Sequence, residues 1–208
     1  MTLKKANKHE LKTRETRELL LQAAKTVFVR DGYEGAELGE IAALAGRTKG
    51  AIYAQFKSKE DIFLALVEEH MLRNRAQAEK LLAESTTVDG NTAALRHFYL
   101  NLAKDQEWAL LILEFKLFAI RHPESKKRLQ SLFAGAISQN DEKRLANVLG
   151  PAGKGKNALS RVVAIQTLQP VLSALVLEAR LETAFSGEDV VKKVVGRIFD
   201  ALMEVPPR

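Results

Sequence analysis

The sequence predicts an all-α fold, and two observations carry that prediction. Apolar residues recur at helical spacing along the chain, and no stretch alternates apolar and polar residues as a half-buried strand would. Glycine, proline and capping serine or threonine residues fall between these periodic segments, where helices should stop and start. The expected architecture is three N-terminal helices followed by a C-terminal helical bundle, about nine helices in all.

The first helix carries one apolar stripe, Leu20, Ala23, Ala24, Val27 and Phe28, and should end at Asp31-Gly32, where glycine supplies the turn. A short helix follows with Leu38, Ile41, Ala42 and Ala45 on one side, broken by Gly46-Arg47. Thr48 can cap a second short helix, from Lys49 to about Gln55, whose inner side offers Ile52 and Phe56. Ser58, Lys59, Glu60 and Asp61 read as the start of a longer helix, with an N-cap serine and acidic residues in the first turn. It should extend to about Glu84, its stripe being Ile62, Phe63, Leu66, Val67 and Met71. Beyond a polar break, helices are expected over 93–104, 108–120, 125–149, 157–185 and 188–203, with Gly150–Lys156 the clearest loop.

Residues 37–56 form a helix-turn-helix pattern. Ala42 is small where the second helix must cross, Gly46 tolerates positive φ in the turn, and Ile41, Ile52 and Phe56 can pin both helices to a supporting one. This spacing suits a second helix that enters the major groove of DNA N-terminus first. The side chains set to face outward are polar or small: Arg47, Thr48, Lys49, Gly50, Tyr53, Ala54 and Gln55, with Lys59 at a phosphate-facing position on the next helix. A hairpin that merely packs is the alternative.

Residues 14–74 resemble the DNA-binding domain of the TetR/AcrR family of repressors. The resemblance rests on Arg17, Leu20-Leu21, Ala23-Ala24, Phe28, Gly32-Tyr33, Leu38, Ile41-Ala42, Ala45-Gly46, Thr48 through Tyr53, Phe56 and Ser58-Lys59-Glu60. It implies a homodimer whose C-terminal helical domain, here 75–208, binds an inducer and supplies the dimer interface. The partners implied are double-stranded DNA with a near-palindromic operator and a small-molecule effector. Two departures stand out. Ala36 and Glu37 occupy positions where the family has a Ser/Thr pair that caps the first short helix and touches phosphate, and Glu37 would repel a phosphate. Arg47 stands where the family often has an apolar residue, and can reach the DNA backbone.

The C-terminal part offers fewer signals. Trp108, Ile112, Phe115 and Phe118 lie on a heavily apolar helix, as core residues or as the lining of an inducer cavity. Glu114 is a carboxylate in that run and needs a partner if buried, whether a cationic ligand or a nearby side chain. Gln166 and Gln169 are polar residues within an apolar helix, as pocket contacts or interface residues. The last two helices carry more apolar surface than one bundle face needs, which points to a four-helix homodimer seam.

Composition narrows the function classes. The net charge is +6, and residues 1–60 hold 12 Lys/Arg against 8 Asp/Glu, a basic bias that suits an anionic partner. Lys4, Lys5, Lys8, Lys12 and Arg14 form a basic N-terminal arm, either solubilising or in contact with DNA. No cysteine is present, which excludes disulfides and thiolate metal sites and fits a cytoplasmic protein. The segment Gly150–Lys156 nearly spells a phosphate-binding loop, but Asn157 replaces the Ser/Thr that would hold magnesium and no strand precedes it. His9, His70, His97 and His122 are dispersed without ligand spacing. Neither an enzyme, a cofactor nor a metal site is expected. The longest uncharged stretch, Val162–Leu177, reads as a buried helix, with no membrane contact. The alternative to a ligand-responsive regulator is a helical small-molecule-binding or protein-interaction module without operator recognition, a reading that Ala36 and Glu37 motivate.

Overall fold

The computed structural model describes residues 8–135, 141–151, 159–181 and 187–204. Among these residues there are ten helices and no strand: α1 Lys8–Gly35, α2 Leu38–Leu44, α3 Lys49–Tyr53, α4 Lys59–Ala83, α5 Val88–Leu102, α6 Gln106–Arg121, α7 Pro123–Gly135, α8 Asp141–Leu149, α9 Arg161–Arg180 and α10 Glu188–Leu202. They pack as two units. The first comprises residues up to 70 together with 114–132, and the second comprises 71–113 and 133–208. The sequence pattern had given no reason to join 114–132 to the N-terminal region.

In the first unit the stripe of α1 is buried as its period requires: Leu20, Ala24, Val27 and Phe28 are fully enclosed, with Ile41 from α2, Ile52 from α3, and Ile62 and Phe63 from α4. The helical course of α1 breaks at Gly32, where φ is 74° and ψ is 174°. That combination is open essentially to glycine alone. The break turns Tyr33 into an aromatic cluster. Its ring lies 5.2 Å from Phe63 and 4.7 Å from Phe115, and Phe63 stacks on Phe115 at 4.1 Å. Offset and edge-on contacts at these distances suit the ring quadrupoles. Glu114 on α6 accepts a hydrogen bond from the Tyr33 backbone N–H at 2.8 Å. A Cβ on Gly32 would collide with that same carboxylate.

The second unit is built on α5, α8, α9 and α10. Leu95, Phe98 and Tyr99, Leu145 and Leu149, Leu168, Leu172 and Val176, and Val195 and Phe199 form its core. Burial pushes the Tyr99 hydroxyl pKa well up. The N-terminus of α9 is fully capped. Ser160 Oγ accepts from Val163 N at 3.2 Å, and Glu142 accepts from the backbone N–H groups of Arg161 and Val162 at 2.9 Å each. The buried Arg161 side chain donates to the carbonyls of Gly150, Pro151 and Met203, which end α8 and α10. A cation placed just beyond the C-terminal ends of two helices also suits their dipoles.

Several expected boundaries move for local reasons. Helix α5 starts at Val88 rather than Ala93, because Thr87 caps it by accepting from Gly90 N at 3.1 Å. Pro123 does more than stop α6: it opens α7 at the first helical position, where its missing N–H costs nothing. The single helix expected over 125–149 is divided into α7 and α8, with 136–140 outside the described residues. Lys12 and Arg14 lie on α1 instead of in an arm, and Arg14 pairs with Glu18 one turn on. Lys4, Lys5 and most of the glycine-rich segment, 152–158, fall outside the described residues. By length and composition alone the whole of α9, Arg161–Arg180, is apolar enough to cross a membrane, as the core helix of a soluble protein also can be. Packing against α8 and α10 buries 28% of that apolar window, so α9 is less enclosed than the buried helix expected from the sequence.

Replacing Gly32 with Ala is expected to destabilise the protein by about 1–3 kcal/mol, since an L-residue is strained at this φ and ψ and Glu114 must give way. Thermal unfolding of the variant measures it. An unchanged Tm would show that the break in α1 is not under this constraint.

Candidate nucleic-acid interface

The turn between α2 and α3 has the full hydrogen bonding of a glycine helix stop. Gly46 has φ of 62°, its N–H donates to Ala43 O at 3.0 Å, and Arg47 N–H donates to Ala42 O at 2.8 Å. A Cβ at Gly46 would meet nothing within 4 Å, so glycine is required there by its conformation and not by space. The chain then turns extended at Thr48, whose Oγ1 accepts from Ala51 N at 3.3 Å and starts α3.

Two residues hold α3 down. Ile52 and Phe56 are buried, and the Arg17 guanidinium lies 4.6 Å over the Phe56 ring. With that side anchored, Thr48, Lys49, Gly50, Tyr53 and Ala54 are exposed, while Arg47 and Gln55 are half-buried. Tyr53 keeps 59% of its surface exposed, although Tyr33 on the same unit is enclosed. A tyrosine left that open on a short helix contributes little to folding and is free for a partner.

Lys59 departs from expectation. Its ammonium donates to the carbonyls of Glu34 at 2.8 Å and Ala36 at 3.0 Å, and sits 5.1 Å from the Tyr33 ring. Partial burial pulls its pKa below the ordinary lysine value. Lys59 therefore closes the C-terminal end of α1 with two of its three N–H donors. Glu37 is the N-cap of α2, exposed, and its side chain makes no capping bond. Ala36 is buried. Neither supplies the hydroxyl that a phosphate contact would use there.

The start of α4 is fixed by charge. Ser58 Oγ accepts from Asp61 N at 3.1 Å, and Asp61 accepts from Lys57 N at 2.8 Å. From α7, Arg128 bonds both Asp61 and Glu60, and Ser125 donates to Glu60 at 3.0 Å. Partial burial alone would raise the Asp61 carboxyl, but the Arg128 guanidinium and these N–H donors hold it below the usual aspartate value. The Arg30 guanidinium likewise lowers the Asp31 carboxyl and bonds Glu40, joining α1 to α2.

The residues expected to line an effector cavity do not come together. Glu114, Phe115 and Phe118 pack around Tyr33 in the first unit. Glu114 finds its partner in a backbone N–H, which was not among the partners expected for it. Gln166 is exposed, and Ile112 is buried. Trp108 and Gln169 do meet, with Asp105, Ser173 and apolar residues of α5, α6 and α9, around a cavity that holds about one water molecule. Drug-sized ligands occupy pockets of roughly 300–1,000 Å³, so a ligand there requires the helices to part. Sequence reasoning missed Asp105, Ser173, Arg128 and Arg161. Arg128 and Arg161 stand in no motif, and their partners are distant in the chain.

The helices and the exposed α3 face define a helix-turn-helix protein of the all-α type. Residues 20–66 match the profile of the tetR family of bacterial regulatory proteins. Over 75 residues the chain is 40% identical to the HTH-type transcriptional repressor BepR of Brucella suis, which covers 36% of this chain and 34% of that one. The curated relatives it matches are thus covered over about a third to a half of their length. A TetR-family regulator from a Rhodococcus species has the same fold across 91% of this chain and 99% of its own, with a TM-score of 0.72 and 18% identity. The regulator FadR from Bacillus subtilis, solved in complex with stearoyl-CoA, aligns over 91% of this chain and 99% of its own with a TM-score of 0.54 and 19% identity.

Two measurements follow. Asp61 has a depressed folded-state pKa, so its contribution is complete above the unfolded aspartate value near 4 and is lost as pH falls through the folded value. The stability gap between wild type and Asp61→Asn is expected to be constant from pH 7 to 5 and to narrow below about pH 4. Glu37→Thr supplies the capping hydroxyl that α2 lacks and is expected to raise stability by about 1 kcal/mol, read as a higher Tm. An unchanged or lowered Tm would show that position 37 gains nothing from a side-chain cap.

Proposed function

We propose that this protein is a DNA-binding transcription regulator, a homodimer that represses from a near-palindromic operator and is released by a small-molecule ligand. The observation that carries the reading is the α3 face: Ile52 and Phe56 hold the helix from within while Thr48, Lys49, Gly50, Tyr53 and Ala54 stand open to solvent. Backbone phosphate contacts from Thr48, Lys49 and Tyr53 would set register, with Arg47 and Gln55 at the edges of the same face. The regulators named among its relatives support this, as does the basic N-terminal third.

The homodimer is assigned to α9 and α10, where Val163, Leu181 and Val190 remain exposed beside a packed inner face. Two recognition helices held apart by such a seam would meet successive major grooves. The effector site is assigned to the small cavity at Trp108 and Gln169, and a solved neighbour that holds stearoyl-CoA supports a small-molecule ligand. Helix α6 carries both Trp108, which lines that cavity, and Glu114, which holds the break in α1. A ligand that parts the cavity walls would act through this helix, provided it binds one conformation better than the other. The assignment of 14–74 to DNA and of 75–208 to ligand and dimer belongs to this reading, as does a place in the cytoplasm.

Mobility shift with genomic fragments at two salt concentrations tests it. The expected result is one preferred fragment and affinity that falls with salt, while a loaded cavity without any duplex binding would favour a small-molecule-binding module. Tyr53→Ala should weaken the preferred complex by about 1.5–3 kcal/mol, roughly ten- to a hundredfold in Kd, with the dimer and Tm unchanged. Binding unaltered by that substitution would remove α3 from the interface.

A further inference from the structure

Gly39 lies inside α2, one residue after the helix begins. Glycine weakens a helix interior relative to alanine, and nothing in the backbone demands it here, because Gly39 is not among the residues with positive φ. What occupies its missing side-chain space is a lysine. A Cβ built on Gly39 would stand 2.6 Å from Lys49 Cε and 3.1 Å from Lys49 Nζ. The far end of the Lys49 side chain, Cε and the ammonium, therefore lies against the bare backbone of α2 at Gly39. Its root is fixed too, since Lys49 is the first residue of α3 and follows the Thr48 cap.

We propose that Gly39 is a positioning residue for Lys49: its bare Cα forms the notch that holds the lysine ammonium at one place on the DNA-binding face. This rests on the reading of α3 as that face. Lysine has four rotatable bonds, and an ammonium free to wander must be ordered whenever it meets a phosphate. A notch across the neighbouring helix orders it beforehand, so less is lost on binding. Alanine at position 39 would leave α2 intact and favour its helical form, but the far end of Lys49 would have to move off the notch. The two effects have opposite signs. A residue that serves only the fold cannot produce that pair of outcomes.

Phosphate contact is independent of sequence, so the test needs no known operator. Titrate a labelled mixed-sequence duplex with the full-length wild type, Gly39→Ala, Lys49→Gln and the double variant, at several salt concentrations, and record each Tm. Gly39→Ala is expected to keep or raise Tm and to weaken binding by about two- to tenfold, the factor that corresponds to freezing one rotamer-rich side chain. Lys49→Gln should lower the salt slope by about 1, and Gly39→Ala should then add no further loss. Equal affinity of Gly39→Ala and wild type would overturn the proposal. So would the same loss from Gly39→Ala with and without Lys49, which would mark a general disturbance of α2. Absence of duplex binding by wild type would instead remove the DNA-binding reading itself, and the notch with it.

Discussion

One carboxylate and one glycine set the geometry on which the first unit depends. At Gly32 the chain leaves helical conformation for φ 74° and ψ 174°, and Glu114 takes up the Tyr33 N–H that the break exposes. A buried backbone donor without a partner is costly, so the carboxylate and the break stabilise each other. From that point the Tyr33 ring turns into Phe63 and Phe115, and the end of α1 reaches the Lys59 ammonium. Helices α1, α4 and α6 are tied together within a few residues of one glycine.

The short helices rest on this frame and add little stability of their own. Helix α3 spans Lys49–Tyr53, far below the length at which an isolated helix persists in water. It exists because Gly46 and Thr48 define its start and because Ile52 and Phe56 are buried, with Arg17 of α1 over the Phe56 ring. The division of labour along so few residues is sharp. The inward positions are apolar and enclosed, and the outward ones carry hydroxyl, ammonium and phenol groups that have no part in the core.

How far the sequence foretold this differs between the two units, for a physical reason. The turn at Gly46, the Thr48 and Ser58 caps and the Ile41, Ile52 and Phe56 anchors are local devices, read from spacings of a few residues, and each is where the spacing implied. The interactions that decide roles farther out are long-range. Glu114 with Tyr33, Arg128 with Asp61 and Arg161 with Met203 join residues 81, 67 and 42 positions apart, and no periodicity announces them. Phe115 and Phe118 illustrate the limit. Their helical spacing said that they share a face, but whether that face looks into a cavity or onto Tyr33 depends on a contact with a distant segment. The carbonyls that Lys59 bonds were equally illegible, because they follow the break at Gly32.

The proposed function requires the segment from Arg47 to Phe56 to present its outer side to duplex DNA. Amide hydrogen exchange of the full-length protein with and without its preferred duplex tests this directly, peptide by peptide. Slowed exchange concentrated in the peptides covering 47–56, and reversed by raised salt, is the predicted result. Protection found only in α9 and α10, or none anywhere while the duplex is bound, would remove the Arg47–Phe56 segment from any DNA interface.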